Sequence, residues 1–136
     1  MATVKLCSDA EGEAEPAVKA VFDDIRETRR SDFINDFWRA LAQDPATLRR
    51  TWESLKAVMV APGALDPLTC ELIYIAVSVT NGCAYCVHSH TAAARAKGMT
   101  AAQHGHLLAV VGMANQTNAL VTGLGLAPDK AFLVAS

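Results

Sequence analysis

The sequence predicts an all-α fold built around an antiparallel hairpin of two helices, 67–80 and 83–97. Three observations support this prediction. Apolar residues recur at intervals of three and four, which is the period of a helix with one buried face. An aspartate followed by proline occurs at Asp44-Pro45 and again at Asp66-Pro67, and this pair is typical of a helix N-cap and first turn. Segments with glycine or proline separate the apolar runs.

The first half of the chain is predicted to hold three helices behind an N-terminal arm. Residues 1–15 are polar and acidic and should form this loose arm, which leaves 16–136 as a single helical domain. Pro16 opens the first helix, and Ala61-Pro62-Gly63 ends the third. The apolar residues that mark these predicted helices are Val18, Val21, Phe22 and Ile25 in the first, Phe33, Ile34, Phe37, Trp38 and Leu41 in the second, and Leu48, Trp52, Leu55 and Val58 in the third.

The second half contains the predicted hairpin. The segment 67–80 is apolar on most sides, which is typical of a buried helix. Its β-branched residues would also suit a strand, but its aspartate cap, its proline and its length favour a helix. Asn81-Gly82 ends this helix, Cys83 opens the next one, and Lys97-Gly98 ends that one. A capping-box pattern at Thr100 then starts a long final helix.

Composition narrows the class of protein. The chain has 136 residues, of which 51% are hydrophobic and 19% are charged, so a packed domain is expected rather than a disordered chain. That apolar share exceeds what one small domain can bury, which predicts a homo-oligomer. The net charge of −2 gives no reason to expect a nucleic acid or an anionic membrane as a partner.

The cellular compartment is predicted from two absent signals. The N-terminus has no basic start followed by an apolar run, and no stretch approaches the roughly 18 consecutive apolar residues of a membrane span. We therefore expect a cytoplasmic protein without a membrane segment. Because thiols stay reduced in the cytoplasm, the four cysteines are expected to be catalytic, metal-binding or inert rather than a structural disulfide framework.

The segment with the most chemical information runs from Cys83 through Cys86 to His90. A C-x-x-C pair at the start of a helix is a redox arrangement, because the free N–H groups and the helix dipole favour thiolate over thiol. Two thiols three positions apart can also close a small disulfide ring. The motif alone is compatible with a metal half-site as well, so the neighbouring residues decide between the two.

His90 and Glu71 turn this pair into a candidate active site. His90 lies four residues after Cys86 on the same helical face, where an imidazole can take the thiol proton or return it. If Asn81-Gly82 reverses the chain, Glu71 on the preceding helix lies at nearly the same level as His90. The spacing thus permits a proton relay from Cys86 through His90 to Glu71.

Plainer interpretations stay open for the individual residues. Glutamates are seldom buried, so Glu71 alone would suit a solvated helix position. Tyr74 and Ser78 continue a polar stripe from Glu71 that could face the cysteine helix, although such residues more often lie at a surface or an interface. The other histidines and cysteines have no comparable pairing and are expected to be structural: His88, His104, His106, Cys70 and Cys7.

Taken together, these residues resemble the motif of the alkylhydroperoxidase D-like (AhpD-like) family, within the carboxymuconolactone decarboxylase superfamily. The matching residues, separated by eleven, two and three positions, are Glu71, Cys83, Cys86 and His90. The segment 37–42 followed by Asp44-Pro45 is similar to the upstream helix of the peroxidase-related branch, and 115–126 is similar to its closing helix. The resemblance covers residues 16–130.

This resemblance implies an AhpD-like helical bundle and a redox cycle. In that family the cysteine matching Cys86 attacks a hydroperoxide and becomes a sulfenic acid, and the one matching Cys83 resolves it to a disulfide. A lipoyl-type or similar dithiol then reduces the pair, while the residues matching Glu71 and His90 relay protons. The cycle calls for no metal and no bound cofactor, and the family implies a trimer or a hexamer.

One position departs from the best-known member of that family, which has a histidine where this chain has Tyr85. A phenol with a pKa of about 10 is a poor base at neutral pH. We therefore expect a weaker relay to Cys83 and a weaker peroxidase activity.

Three other functions stay open. A decarboxylase of the muconolactone type would share the fold but generally lacks the cysteine pair, which argues against it here. A metal-binding module would draw on Cys83, Cys86 and His90, but a closed zinc site needs a fourth ligand. A binding or sensing protein with an inactive site is the third. A c-type haem site is excluded, because Val87 stands where its motif needs a histidine.

Overall fold

The structure, a computed structural model, describes residues 1–133, and its regular elements in this range are all helical. The α-helices are α1 (Asp9–Ala14), α2 (Pro16–Arg29), α3 (Asp36–Leu41), α4 (Pro45–Leu55), α5 (Pro67–Thr80), α6 (Ala84–Ala96) and α7 (Ala101–Leu124). A π-helical turn, Lys56–Val60, continues α4, and a 3-10 turn, Lys130–Phe132, follows α7. The all-α prediction is confirmed. The chain divides after Gly63 into two compact units, which are described separately.

The first unit, residues 1–63, is organised around two tryptophans. Trp38 of α3 and Trp52 of α4 meet edge to face, with 5.4 Å between their ring centroids, and both are buried. The apolar face of α2 packs beside them, and Ile25 is fully buried there. Asp24 of α2 accepts a hydrogen bond from Trp52 Nε1 at 2.6 Å and forms an ion pair with Lys56 at 2.7 Å. The indole nitrogen of Trp52 is therefore satisfied where its ring is buried.

The N-terminal segment is more ordered than the predicted loose arm. Ser8 caps α1 and forms a reciprocal capping box with Glu11, which satisfies two backbone N–H groups at the helix start. Cys7 is buried, and its backbone N–H donates to the carbonyl oxygen of Arg39 at 3.1 Å. Residues 9–14 are thus helical, because the cap stabilises a helix that composition alone does not predict. The assignment of 16–136 to one domain stays a prediction.

The second unit, from residue 64 onward, contains the predicted hairpin. Asp66 caps α5 by accepting a hydrogen bond from the backbone N–H of Thr69 at 3.0 Å. The chain reverses at Gly82, whose φ of +69° is a left-handed conformation that favours glycine. α6 then packs along α5, and α7 also packs against α5. The small apolar core between them is formed by Ile75, Ala94 and Met99, with Leu68, Leu72, Val79 and Leu107 around it.

Two helices of this unit expose apolar surface, and for α5 this differs from the prediction. α5 was expected to be buried on most sides, but Ile73 and Val77 are about half exposed because α6 and α7 do not cover that face. In α7 only Val111 is buried. α7 is long and apolar enough on average to cross a membrane, although polar residues interrupt it, and core helices of proteins without a membrane span share this property. Its middle, however, carries four consecutive polar residues, 115–118, which are costly to place in hydrocarbon.

Candidate active site

The cysteine pair lies at the N-terminus of α6. Cys83 is the N-cap residue, and its Sγ accepts a hydrogen bond from the backbone N–H of Cys86 at 3.3 Å. The two sulfurs are joined in a disulfide, with 5.4 Å between the Cα atoms. The backbone N–H of Cys83 donates to the carbonyl oxygen of Ser78 at 2.9 Å, so the end of α5 fixes the start of α6. Both cysteines are half-buried.

This position favours ionised thiols once the disulfide is reduced. The first N–H groups of a helix have no intrahelical acceptor, and the aligned peptide dipoles place a partial positive charge at that end. Both effects stabilise a thiolate. Cys86 lies within the first turn of α6, whereas Cys83 precedes it as the cap.

Glu71 and His90 meet between the two helices of the hairpin. The Nδ1 atom of His90 lies 2.7 Å from Oε2 of Glu71. The side chain of His90 is 17% exposed and that of Glu71 is 6% exposed, so the pair is largely shielded from water. The sequence predicted that the two residues lie at one level of an antiparallel hairpin, and this is confirmed.

The protonation of this pair follows from its surroundings. Burial raises the pKa of Glu71, but hydrogen bonds from His90 and Lys97 and the charge of Lys97 lower it, and the net pKa is below the usual value for a glutamate. Because a carboxylate only accepts hydrogen bonds, Nδ1 of His90 carries the hydrogen and donates it. In the neutral ring, Nε2 is then the nitrogen that can accept a proton. His90 is one helical turn from Cys86.

An aromatic ring holds the imidazole from one side. Tyr74 stacks on His90 with 3.6 Å between ring centroids and 20° between the ring planes. This stack limits rotation of the imidazole. Ser78 is buried, and its hydroxyl donates to the carbonyl oxygen of Tyr74 at 2.7 Å within α5. The predicted polar stripe therefore contributes Glu71 and Tyr74 to the site, while Ser78 bonds within its own helix.

Sequence reasoning missed a third partner of Glu71. Lys97 Nζ lies 2.8 Å from Oε1 of Glu71, the oxygen that His90 does not use. Lys97 is the C-cap residue of α6, and it follows His90 by seven residues, which puts both on one helical face. Cys86, His90 and Lys97 thus form a line at spacings of four and seven, and that spacing is the signal that could have found Lys97.

Comparison with known proteins identifies the family of this chain. The family model described as the carboxymuconolactone decarboxylase family matches residues 45–129, which is more than half of the chain. This chain belongs to the carboxymuconolactone decarboxylase family. It is similar to a crystal structure of the alkylhydroperoxidase AhpD core from Rhodospirillum rubrum ATCC 11170, with 66% sequence identity, 99% of each chain covered and a TM-score of 0.97. The chain is therefore an AhpD-like member. No curated protein matches it.

The other histidines and cysteines of this carboxymuconolactone decarboxylase family member have different surroundings. His88 and His106 are exposed, and His104 is half-buried. Cys70 is a half-buried thiol in α5. Cys7 belongs to the core of the first unit, and burial raises the pKa of its thiol, which suits an inert cysteine.

Two further observations bear on the chemistry open to this AhpD-like site. Tyr85, which stands between the two cysteines, is exposed at the first turn of α6. Within the part of the chain that the structure describes, no group of three or more His, Cys, Asp or Glu side chains could hold a metal ion. The arrangement can make and break a disulfide beside a histidine whose proton is shared with a buried carboxylate.

Proposed function

We propose that this protein is a thiol-dependent peroxidase of the alkylhydroperoxidase type. The observation that carries the proposal is a disulfide-bonded C-x-x-C pair at the start of α6, one turn from a histidine that is hydrogen-bonded to a buried carboxylate. The likeness to the alkylhydroperoxidase AhpD core supports the same chemistry. The proposed working residues are Cys83, Cys86, His90 and Glu71.

In the first step the Cys86 thiolate attacks the distal oxygen of a hydroperoxide. The sulfur–oxygen bond forms and the peroxide bond breaks, so that Cys86 becomes a sulfenic acid and the substrate leaves as an alcohol. Nε2 of His90 takes the thiol proton before the attack and returns it to the departing alkoxide. Glu71 keeps the imidazole in the required tautomer and stabilises its protonated form.

In the second step the Cys83 thiol attacks the sulfenic sulfur of Cys86, and water leaves as the disulfide closes. The disulfide in the structure corresponds to this oxidised state. A dithiol donor of the lipoyl type then reduces it by thiol–disulfide exchange and is itself oxidised to a cyclic disulfide. We place this cycle in the cytoplasm, where a reducing environment keeps the donor available.

The test measures hydroperoxide consumption by the reduced protein, with dihydrolipoamide as donor and with hydrogen peroxide or an organic hydroperoxide as substrate. We expect turnover that is lost in Cys83→Ser and in Cys86→Ser and kept in the matched control Cys70→Ser. A sulfenic acid trap should label Cys86 in the Cys83→Ser protein. Labelling only of Cys83 in Cys86→Ser would reverse the roles, and no consumption by the parent protein would refute the proposal.

The same cysteine variants, assayed for decarboxylation of a carboxymuconolactone, address the decarboxylase alternative. Decarboxylation of a carboxymuconolactone needs no reversible disulfide, so it would survive in both cysteine variants. Decarboxylation by the variants, without hydroperoxide consumption by the parent, would favour a decarboxylase over the proposed peroxidase.

We also propose that the chain forms a homo-oligomer, a trimer or a hexamer, through the exposed apolar face of α7. Met113, Leu120 and Leu124 are exposed and share one helical face at spacings of seven and four. α7 contains no Asp, Glu, Lys or Arg, so two copies can meet without repulsion between like charges. A second copy also suits the polar segment 115–118 better than a bilayer, because it can supply hydrogen bonds.

Light scattering coupled to size exclusion tests this interface. The parent should have the mass of a trimer or a hexamer at micromolar concentration. Leu120→Glu should reduce that mass, while Phe33→Glu, the same kind of change at an exposed residue of the first unit, should not. A monomeric parent contradicts the proposal, and binding of that monomer to neutral lipid vesicles would instead favour a membrane contact.

A further inference from the structure

The carboxylate of Glu71 has two partners, the imidazole of His90 and the ammonium group of Lys97. His90 occupies one oxygen at 2.7 Å, and Lys97 occupies the other at 2.8 Å. The side chain of Glu71 is 6% exposed, whereas that of Lys97 is 36% exposed. Lys97 thus extends from solvent to the buried carboxylate, and it lies at the opposite end of α6 from the cysteines.

A buried carboxylate is stable only if its charge is compensated. His90 alone could do so by keeping its proton, since an imidazolium and a carboxylate form a neutral pair. Lys97 supplies the compensating charge permanently, because an ammonium group hydrogen-bonded to a carboxylate stays protonated at neutral pH. With Lys97 present, the ammonium offsets part of the carboxylate charge, so Glu71 compensates a protonated His90 less than it would alone.

The other groups around His90 do not replace this effect. Tyr74 from α5 stacks on the imidazole and is uncharged at neutral pH. α6 contributes Cys86 and Lys97. α7, which also packs against α5, contains no acidic residue, lysine or arginine, and its titratable side chains are His104 and His106. Lys97 is therefore the permanent cation of this cluster.

We propose that Lys97 is a positioning residue of the relay, which keeps Glu71 ionised and directed at His90 and lowers the proton affinity of the Cys86–His90 pair, so that the thiolate forms near neutral pH. This inference rests on the proposed function. In the proposed relay the Cys86 thiol and the imidazole exchange a proton, so they would titrate as one unit. A nearby cation makes the first proton leave this unit at a lower pH.

The experiment compares pH profiles of kcat/KM for hydroperoxide in the parent and in variants of Lys97. In Lys97→Met the acidic limb should move up by about one pH unit, with activity recovering at higher pH. Lys97→Gln keeps a donor for Glu71 but removes the charge, and it should show the same shift. Lys97→Arg should restore the parent profile. Arg95→Met removes the same charge from the exposed side of α6 and should leave the profile unchanged.

A second readout does not depend on peroxide chemistry. The rate of Cys86 alkylation by iodoacetamide, measured against pH in the reduced Cys83→Ser background, reports the thiolate and should shift in the same way. If the parent consumes no hydroperoxide, the proposed function fails while alkylation still tests Lys97. An unshifted alkylation profile in both Lys97→Met and Lys97→Gln overturns the inference. So does a loss of rate that is uniform across pH, which is the outcome of a purely structural role.

Discussion

The two units of this chain bury different kinds of side chain. In residues 1–63 the buried side chains are mostly large and apolar, and the charged pairs, such as Arg39 with Asp9, lie toward the surface. From residue 64 onward the buried set is small and includes the Glu71 carboxylate and the hydroxyl of Thr91, which has no hydrogen-bond partner among the described residues. Buried polar groups of this kind reduce stability. The comparison indicates that packing stabilises the first unit, while the second holds reactive groups in place.

Replacing Glu71 has the largest expected effect on turnover and tests whether the second unit holds the reactive groups in place. Glu71→Gln removes the charge that fixes the His90 tautomer, so turnover should fall by about 10²–10⁴. The amide replaces one acceptor oxygen by an NH2 group, so one of the two donors, His90 or Lys97, faces another donor, and the free energy of unfolding should fall by about 1–3 kcal/mol. Turnover per folded molecule and the melting temperature are measured on the same sample.

Glu27→Gln on the exposed face of α2 is the matched control and should change neither quantity. If Glu71→Gln lowers stability but leaves turnover and its pH profile intact, Glu71 has only a structural role.

Truncating the aromatic core tests the packing side of the comparison. Trp52→Ala removes a fully buried ring and its hydrogen bond to Asp24, so the free energy of unfolding should fall by about 3–5 kcal/mol. Turnover per folded molecule should be close to that of the parent, because the proposed working residues all lie in the other unit. Trp52→Phe keeps much of the volume and should lose less stability. Denaturant unfolding with parallel rate measurements checks both, and a rate that falls while the protein stays folded would contradict the separation.

Acid should reduce the free energy of unfolding through one glutamate in each unit, and this effect is smaller than that of truncating Trp52. Glu11 and Glu71 both have a lowered pKa, that of Glu11 falling to about 2 through its contacts with Lys5 and Ser8. A carboxyl group whose pKa is lower in the folded protein stabilises it above the unfolded value of 4.5, and this contribution is lost as pH falls toward the folded value. Stability should therefore decline below pH 4.5, and each Glu→Gln variant should decline less steeply.

Salt separates the two contributions. At 1 M NaCl the screening length is roughly 3 Å, so the exposed Glu11 pair should lose its contribution, while the buried Glu71 cluster should keep most of its own. Unfolding curves from pH 6 down to about pH 2 at low and high salt measure both. Equal salt sensitivity of the two contributions would contradict the difference in burial.

The smallest expected effect concerns the end of α2 in the first unit. Arg30 has φ of +52°, a left-handed conformation that is unfavourable for a residue with Cβ. Arg30→Gly should raise the free energy of unfolding by about 0.5–1 kcal/mol. Arg30→Ala keeps Cβ and should show no such gain. Chemical denaturation resolves the difference, and equal stability of the two variants would show that the backbone conformation is not the cause.

The sequence predicts local features of this molecule better than tertiary ones. The bounds of α5 and the hairpin turn follow from Asp66-Pro67 and Asn81-Gly82, because caps and turns depend on adjacent residues. The positions of Glu71 and His90 along that hairpin predict that they lie side by side. The sequence does not predict which apolar side chains of α5 and α7 are exposed. An apolar helix has the same sequence pattern whether it packs against its own chain or against another copy. Lys97 was missed because a lysine at a helix end is usually solvated.

The whole candidate site lies within one segment of the chain, residues 67–97. The disulfide spans a separation of 3 residues, and the partners of Glu71 are 19 and 26 residues away. Residues 67–97 leave the ribosome before α7 does, so we expect the cysteines to meet their histidine and glutamate before α7 emerges. We expect newly made chains to carry a reactive thiol pair from that moment.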